Sequence, residues 1–454
     1  MYVFDIFIIA LYLIFTLFIG YKAGKNVTDI KKYSIGKCEF SNIQLIATIF
    51  ATWVGGGFLI GNTTEIYKSG IIALATLGFV GKLVIMSELL VKKFTPFYGA
   101  ISFGDIMEVF YGKFGKVLSG LLGVVISVGT IAIQLFSISI LLINILDITK
   151  IDAILLSYGI VIFYSAYGGI KSVVKTDLIQ FILIITAVLT LTIFLLIEIG
   201  GVNQFIVSVP NWSTSLKLND HTLNYFYMFV IYLFPAPQPV TVQRILMNKN
   251  ISQTILSFRL STIAFILLNI SIVVIGLSAI ILFPSILPNM VIPTIINEVI
   301  PVGFKGLVII GIISVIMSTA DSFINVASIS FTHDFLVPVF KISKKKELFY
   351  AKTLSIILGT IAIFIALYID NIINFMFYCH SLWLVSISIT FIFGLYNIKI
   401  SLKNFIFYLG LNFFLVILIQ LLLPLKPLGI LISVFISILF FISIYILEKN
   451  KAGE

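Results

Sequence analysis

Apolar residues run through this chain in long blocks separated by short loops. About thirteen blocks approach the length of roughly 20 residues that a helix needs to cross a bilayer. They lie near 4–21, 43–68, 71–91, 117–146, 151–168, 177–199, 223–246, 257–284, 303–331, 350–369, 372–395, 404–424 and 428–447. Two blocks are broken in their middles. The first is interrupted by Gly55-Gly56-Gly57, the second by Pro235-Ala236-Pro237-Gln238-Pro239. Each backbone group freed by such a break costs several kcal/mol in hydrocarbon unless protein, water or an ion satisfies it. Paired breaks at matching places therefore point to an ion and solute site, as in secondary transporters.

Composition agrees with a membrane protein. The chain is 60% hydrophobic and 11% charged, against about 25% charged in a soluble domain; its mean hydropathy is +1.17. The first block is not expected to be a cleaved signal peptide, because Met1 to Asp5 holds no basic residue and no small-residue cleavage site follows. Lysine and arginine alternate between rich and poor loops. Lys22, Lys25, Lys31, Lys32 and Lys37 follow the first block, lone Lys68 the second, and Lys92, Lys93, Lys113 and Lys116 the third. The pattern continues to Lys449 and Lys451, and it predicts an N-terminus outside and a C-terminus in the cytoplasm. The net charge of +10 is then a topology signal dispersed over loops, and no nucleic-acid partner is expected.

The blocks also divide into two sets. Residues 43–199 and 223–395 each hold five expected spans, and each set opens on a broken one. An odd number of spans inverts the second set in the membrane, giving a five-plus-five inverted repeat. Residues 1–42 and 396–454 add peripheral helices to a single membrane domain. Cys38 is expected on a cytoplasmic loop and Cys379 within a span, so a disulfide is not expected.

The ninth block carries polar residues at helical spacing: Gly311, Ser314, Ser318, Asp321, Ser322, Asn325, Ser328 and Thr332. Small polar residues also serve helix packing, but Asp321 is a carboxylate in a span, placed near enough to the cytoplasmic end to be hydrated. Na⁺ is a hard cation matched by oxygen. Adjacent hydroxyls on Ser318 and Thr319, with carbonyls freed in the break at 51–57, make a joint ion site chemically reasonable.

Three motifs carry a resemblance. Tyr167-Gly168-Gly169 with Thr176-Asp177 and Gln180, Met317-Ser318-Thr319-Ala320-Asp321-Ser322 with Asn325, and Ala51-Thr52-Trp53-Val54-Gly55-Gly56-Gly57 with Ile60, Gly61 and Tyr67 are similar to motifs of the sodium:solute symporter family. That family includes proline, pantothenate, sugar and choline symporters. The resemblance covers about residues 1–395 and implies an all-α, LeuT-like fold. It also implies a sodium site built from backbone oxygens of Ala51, Val54 and Val315 and the hydroxyls of Ser318 and Thr319. Asp177 matches an acidic residue on the ion's exit route; alternatively it is a helix N-terminal carboxylate held by the dipole.

Trp53, Gly55, Gly56, Gln134 and Gln238 are placed to line a solute site beside the breaks. Gln134 serves equally as an interhelical hydrogen-bond partner. Half-helix N-termini would favour an anionic group. Trp53 resembles the choline branch, yet Ile131 and Gln238 stand where that branch has its other cage tryptophans. Gln238-Pro239 with Arg244 resembles the proline branch, without its carboxylate on the first broken helix. A small amino acid such as proline, or a related zwitterion, is the first expectation; a choline-like amine or pantothenate is the alternative.

Lys82 is either a gate or counter-ion, or a snorkelling or paired lysine; Asp177 and Asp321 are candidates for gating or ion release. His380 reads as a pH sensor or a hydrogen-bonded interhelical histidine. His221 and His333 are expected in loops, with no metal-ligand cluster. No Walker motif is present. The expected function is sodium-coupled import by alternating access, not enzymatic catalysis. Sodium is the cargo ion, no organic cofactor or obligate protein partner is indicated, and a bacterial inner membrane is the expected location. A solute sensor, disfavoured by the lack of an attached signalling domain, and a proton-coupled carrier are the competing classes.

Overall fold

The computed structural model describes residues 3–25, 27–36, 40–146, 148–214, 220–368, 372–422 and 426–452. Among them every apolar block is mainly helical. The helices that frame the molecule are α1 (Val3–Gly24), α2 (Asn42–Trp53), α3 (Gly56–Ser69), α4 (Gly78–Ile85), α5 (Phe103–Leu146), α6 (Lys150–Ile199), α7 (Asp220–Leu233), α8 (Pro239–Leu246), α9 (Ile251–Leu282), α10 (Lys305–Ile329), α11 (Lys344–Tyr368), α12 (Ile372–Trp383), α13 (Leu402–Leu422) and α14 (Lys426–Ala452). Among the described residues, eight helices are individually long and apolar enough to cross a membrane, and a bent pair makes a ninth. Of the other expected spans, the fifth is the part of α6 before Gly169, and the rest are composite. The third block joins a 3-10 stretch, α4 and the π-turn Met86–Leu90; the eleventh joins α12, the π-turn Leu384–Ser388 and Ile389–Leu395. Cys38 lies outside the described residues.

The surface is inverted relative to a soluble protein. Phe7 and Ile14 on α1, Leu267 on α9, and Phe407 and Leu421 on α13 face outward, as a hydrocarbon solvent requires. Polar residues instead gather inside: every residue of α10 from Val308 to Ile329 is buried, the polar stripe included. Asp321 is fully buried, which corrects the expectation of a hydrated end; the π-turn Ser330–Leu336 extends the helix beyond it. Close packing explains Gly311, where a Cβ would come within 2.1 Å of the Ala187 Cβ on α6.

Both expected breaks are present. α2 starts with a capping box, Ser41 accepting from the Gln44 N–H and Gln44 reaching back. It stops at Val54, and the pair Asn42–Trp53 and Gly56–Leu74 bends by 54°. The second break runs through residues 234–238 between α7 and α8. Pro239 occupies the first turn of α8, where the missing N–H costs nothing, and the Trp383 indole donates to the Pro237 carbonyl at 2.9 Å. A third kink divides α6 at Gly169, whose φ is +58°. Any Cβ there would also sit 2.6 Å from the Tyr33 ring. This explains the glycine in the Tyr167-Gly168-Gly169 motif and separates the fifth block from the sixth.

The lysine alternation predicts that Thr28 and Val207, both exposed, lie on opposite membrane faces. With Cys38 and Cys379 replaced, single cysteines at positions 28 and 207 should react with impermeant maleimide from the cytoplasmic and outer side respectively. Labelling of both from one side would overturn the topology.

Candidate functional site

The break between α2 and α3 meets the middle of α10. Ser318 Oγ donates to the carbonyls of Ala51 at 2.9 Å and Val315 at 3.1 Å. Thr319 Oγ1 lies 3.2 Å from the Thr52 carbonyl, 3.3 Å from that of Val315, and 3.4 Å from those of Ala51 and Val54. The five oxygens anticipated from Ala51, Val54, Val315, Ser318 and Thr319 thus converge in one buried spot. Ending α2 at Val54 is what frees the carbonyls, since no following turn of the same helix claims them. The donor set is all oxygen and carries no formal charge, which suits a monovalent hard cation.

On the α3 side of this spot lies a cavity of about 100 Å³. Its wall includes Trp53, Gly55, Gln134, Gln238, Lys82 and Thr319. Gln134 lines the cavity, and its Oε1 accepts from the Gly56 N–H at 2.8 Å, so it makes the interhelical hydrogen bond considered for it and a side chain of α5 caps α3. Gly56 is not on the wall, a correction to its expected place beside the solute. A Cβ there would meet the Ser137 Cβ at 2.5 Å, so Gly56 lets α3 approach α5 closely. Sequence reasoning missed Asn62, Phe79 and Tyr232 on the wall, and it placed His380 only within a span. Asn62 follows the first break by two turns, and that spacing was an available signal.

The polar wall is incompletely satisfied. Trp53 Nε1, Asn62 Nδ2 and Gln238 Oε1 are buried without a hydrogen-bond partner among the described residues. Buried polar atoms are normally paired, so these three leave hydrogen-bonding capacity open on the cavity wall.

Asp177 and Asp321 belong to a different layer, on the side that the lysine pattern assigns to the cytoplasm. Arg244 of α8 is completely buried. It donates to Thr52 Oγ1 at 2.9 Å, Ser322 Oγ at 2.5 Å and Gln243 Oε1 at 2.6 Å, and it lies 3.9 Å from Asp177. Thr48 donates to the same Asp177 carboxylate, and Ser322 Oγ lies 3.4 Å from Asp321 Oδ1. Asp177 is buried eight residues beyond the Gly169 kink, too far into α6 for the first-turn dipole to hold it. The dipole alternative is therefore set aside. Arg244 and Gln243, which also donates to Ser34 O and Asn325 Oδ1, tie α8 to α2 and α10.

Two expectations about histidine are corrected. His221 falls within α7 and His333 within the π-turn Ser330–Leu336, not in loops. His333 joins Asp105 and Asp334 in a group whose possible ligand atoms lie within 4.8 Å. Sequence spacing hid this cluster because α5 and the end of α10 are remote in the chain. Its members are already engaged: Lys116 pairs with Asp105 at 2.6 Å, His333 meets Glu347 at 2.6 Å, and Ser102 donates to Asp334.

Comparison with known proteins follows the same lines. The high-affinity choline transporter 1 of Drosophila melanogaster is 27% identical over 362 residues, covering 74% of this chain and 57% of that protein. The sodium/myo-inositol cotransporter of Canis lupus familiaris is 24% identical over 402 residues, covering 76% and 56%. The chain therefore spans just over half the length of these relatives. The solved structure of a Na⁺-coupled sialic acid symporter in a substrate-bound outward-open state superposes with a TM-score of 0.87 at 17% identity, over 98% of this chain and 97% of that one. The fold is thus all-helical and LeuT-like, as anticipated. The profile of the sodium:solute symporter family matches residues 33–403, and the chain belongs to that family.

Proposed function

We propose that the protein is a sodium-coupled symporter of a small organic solute. The observation that carries this is the convergence of five oxygens from Ala51, Val54, Val315, Ser318 and Thr319 on one buried spot beside a cavity with orphaned polar atoms. Sodium bound there joins α2 to α10 and so favours one arrangement of the two. Thr319 is common to the ion spot and the cavity wall, which lets sodium and solute meet at one residue. Coupling must then be reciprocal: solute raises sodium affinity by the factor by which sodium raises solute affinity.

In this reading residues 43–199 and 223–395 are inverted halves that rock about the site. The Arg244 layer closes the cytoplasmic side, and opening it lets Asp177 and Asp321 attend the departing ion. A small amino acid such as proline, or a related zwitterion, remains our preferred cargo class, with choline-like amines and pantothenate next. The membrane we assign is the bacterial inner membrane. Proteoliposomes tested with labelled proline, choline and pantothenate should accumulate one of them only under an inward sodium gradient. Accumulation driven equally by a proton gradient in potassium buffer would favour a proton-coupled carrier, and sodium-dependent binding without uptake would favour a sensor.

Trp53→Ala should weaken solute binding at least tenfold while sodium affinity changes less than threefold. The indole lines the cavity, whereas the sodium ligands are backbone oxygens of its neighbours Ala51 and Val54. Isothermal titration of sodium and solute separately checks this; equal losses would make Trp53 a packing residue of the broken helix.

A further inference from the structure

Lys82 sits on α4 with 7% of its surface exposed. It does not snorkel. Its ammonium lies 4.9 Å from the Trp53 ring centroid and 5.4 Å from that of Phe79, and it forms part of the cavity wall. Neither does it have an acidic partner: no carboxylate lies within 4 Å of it among the described residues. Glu88, nearest in sequence, is held by Arg259 through two bonds of 2.7 Å. Among the described residues, the cavity wall contains no aspartate or glutamate. A buried ammonium beside two ring faces, with no carboxylate within 4 Å among the described residues and with His380 on the same wall, is undercompensated, because cation–π attraction replaces a small part of its lost hydration.

The rest of the wall has the same bias. Trp53 Nε1 and Asn62 Nδ2 are donors without acceptors, against one orphaned acceptor, Gln238 Oε1. The N-terminus of α3 opens onto the cavity at Gly55 and Gly57, adding the positive end of a fourteen-residue helix. The ring face of Trp53, where a cationic ligand would settle, is already covered by the chain's own cation.

We infer that the solute carries a carboxylate, and that this carboxylate pairs with Lys82 in the cavity. The inference rests on the cavity being the solute site of the symporter proposed above. It narrows the cargo to carboxylates, zwitterions included, and excludes solutes whose only charge is positive. Lys82 is then a specificity-determining residue: it turns the Trp53 pocket from a seat for cations into a seat for anions.

Matched pairs test this with the purified full chain in sodium buffer. Betaine against choline, proline against prolinamide, and pantothenate against pantothenol each differ chiefly at the carboxylate. Thermal stabilisation titrated for each should give at least one carboxylate an affinity at least tenfold above that of its partner. In Lys82→Met that ratio should fall to near one, and in Lys82→Arg it should largely survive. The inference is overturned if choline, prolinamide or pantothenol binds as well as its carboxylate counterpart, if no carboxylate of the three binds, or if K82M keeps the preference. The wild-type comparison needs no variant, so misfolding of K82M leaves the test standing. Repeating it in potassium separates the two readings. Sodium-independent carboxylate binding would sink the coupling and leave the Lys82 pairing, whereas sodium-dependent binding of the partners that lack the carboxylate would do the reverse.

Discussion

Ser318→Ala combined with Thr319→Ala should lower apparent sodium affinity roughly 100-fold while leaving a folded protein. A hydrogen bond or ligand interaction involving a charge is worth about 1.5–3 kcal/mol, and removing two of them at once corresponds to about two decades or more in affinity. The side chains are small and buried, so the substitution removes oxygen without opening a large void. The carbonyls of Ala51, Val54 and Val315 remain, but they are fixed by the end of α2 and one turn of α10 and cannot close around the ion alone. Ser314→Ala is the control. Its hydroxyl is 2.8 Å from the Tyr12 hydroxyl and 2.7 Å from the Ile310 carbonyl, on the same helix face but away from the break. Sodium titrations of thermal stability and of uptake should show the large shift only in the double variant. A folded double variant with unchanged sodium response would remove this spot from the mechanism.

Arg244→Met should destabilise the protein by about 3–5 kcal/mol, the usual cost of breaking a buried ion pair from one side. Among the described residues the guanidinium is the cation within 4 Å of Asp177, and it also bonds Thr52 and Ser322; its loss strands a buried carboxylate and loosens α8 against α2 and α10, where the Gln243 bond to Asn325 remains. Asp177→Asn added to Arg244→Met should recover a large part of the loss, because the stranded charge disappears with it. Unfolding midpoints of the two single variants and the double variant measure the coupling. Additive losses would mean that the 3.9 Å pair contributes nothing and that Arg244 acts through its hydroxyl partners. Uptake should be slow even in the recovered double variant, because the layer that closes the cytoplasmic side still lacks its tie.

Much of the architecture was legible because a bilayer makes the rules local. A span must be long, apolar and internally bonded, so hydropathy alone located the helices. A break is costly in hydrocarbon, so Gly55-Gly56-Gly57 and Pro235–Pro239 stood out without any knowledge of their neighbours. Two elements of the proposed ion site were legible in the same way, the adjacent hydroxyls of Ser318 and Thr319 and the carbonyls freed by the break at 51–57; the particular set of Ala51, Val54 and Val315 came only from the family resemblance.

Other features depended on which residues meet across the bundle. Asp321 is buried, not hydrated, because the π-turn Ser330–Leu336 carries its helix onward past it. Gly56 serves the approach of α3 to α5, which only the Ser137 side chain reveals. His333, Asp105 and Lys116 form one ion cluster across more than two hundred residues of sequence. Arg244 reaches Asp177 from the second broken helix, and Lys82 ends over Trp53 with no carboxylate within 4 Å among the described residues. Sequence by itself determined the main helical blocks and the breaks, because each follows from backbone bonding and hydropathy within a few turns. Only the tertiary structure decided the company of each buried charge, because electrostatic energy depends on distance through the bundle and not along the chain.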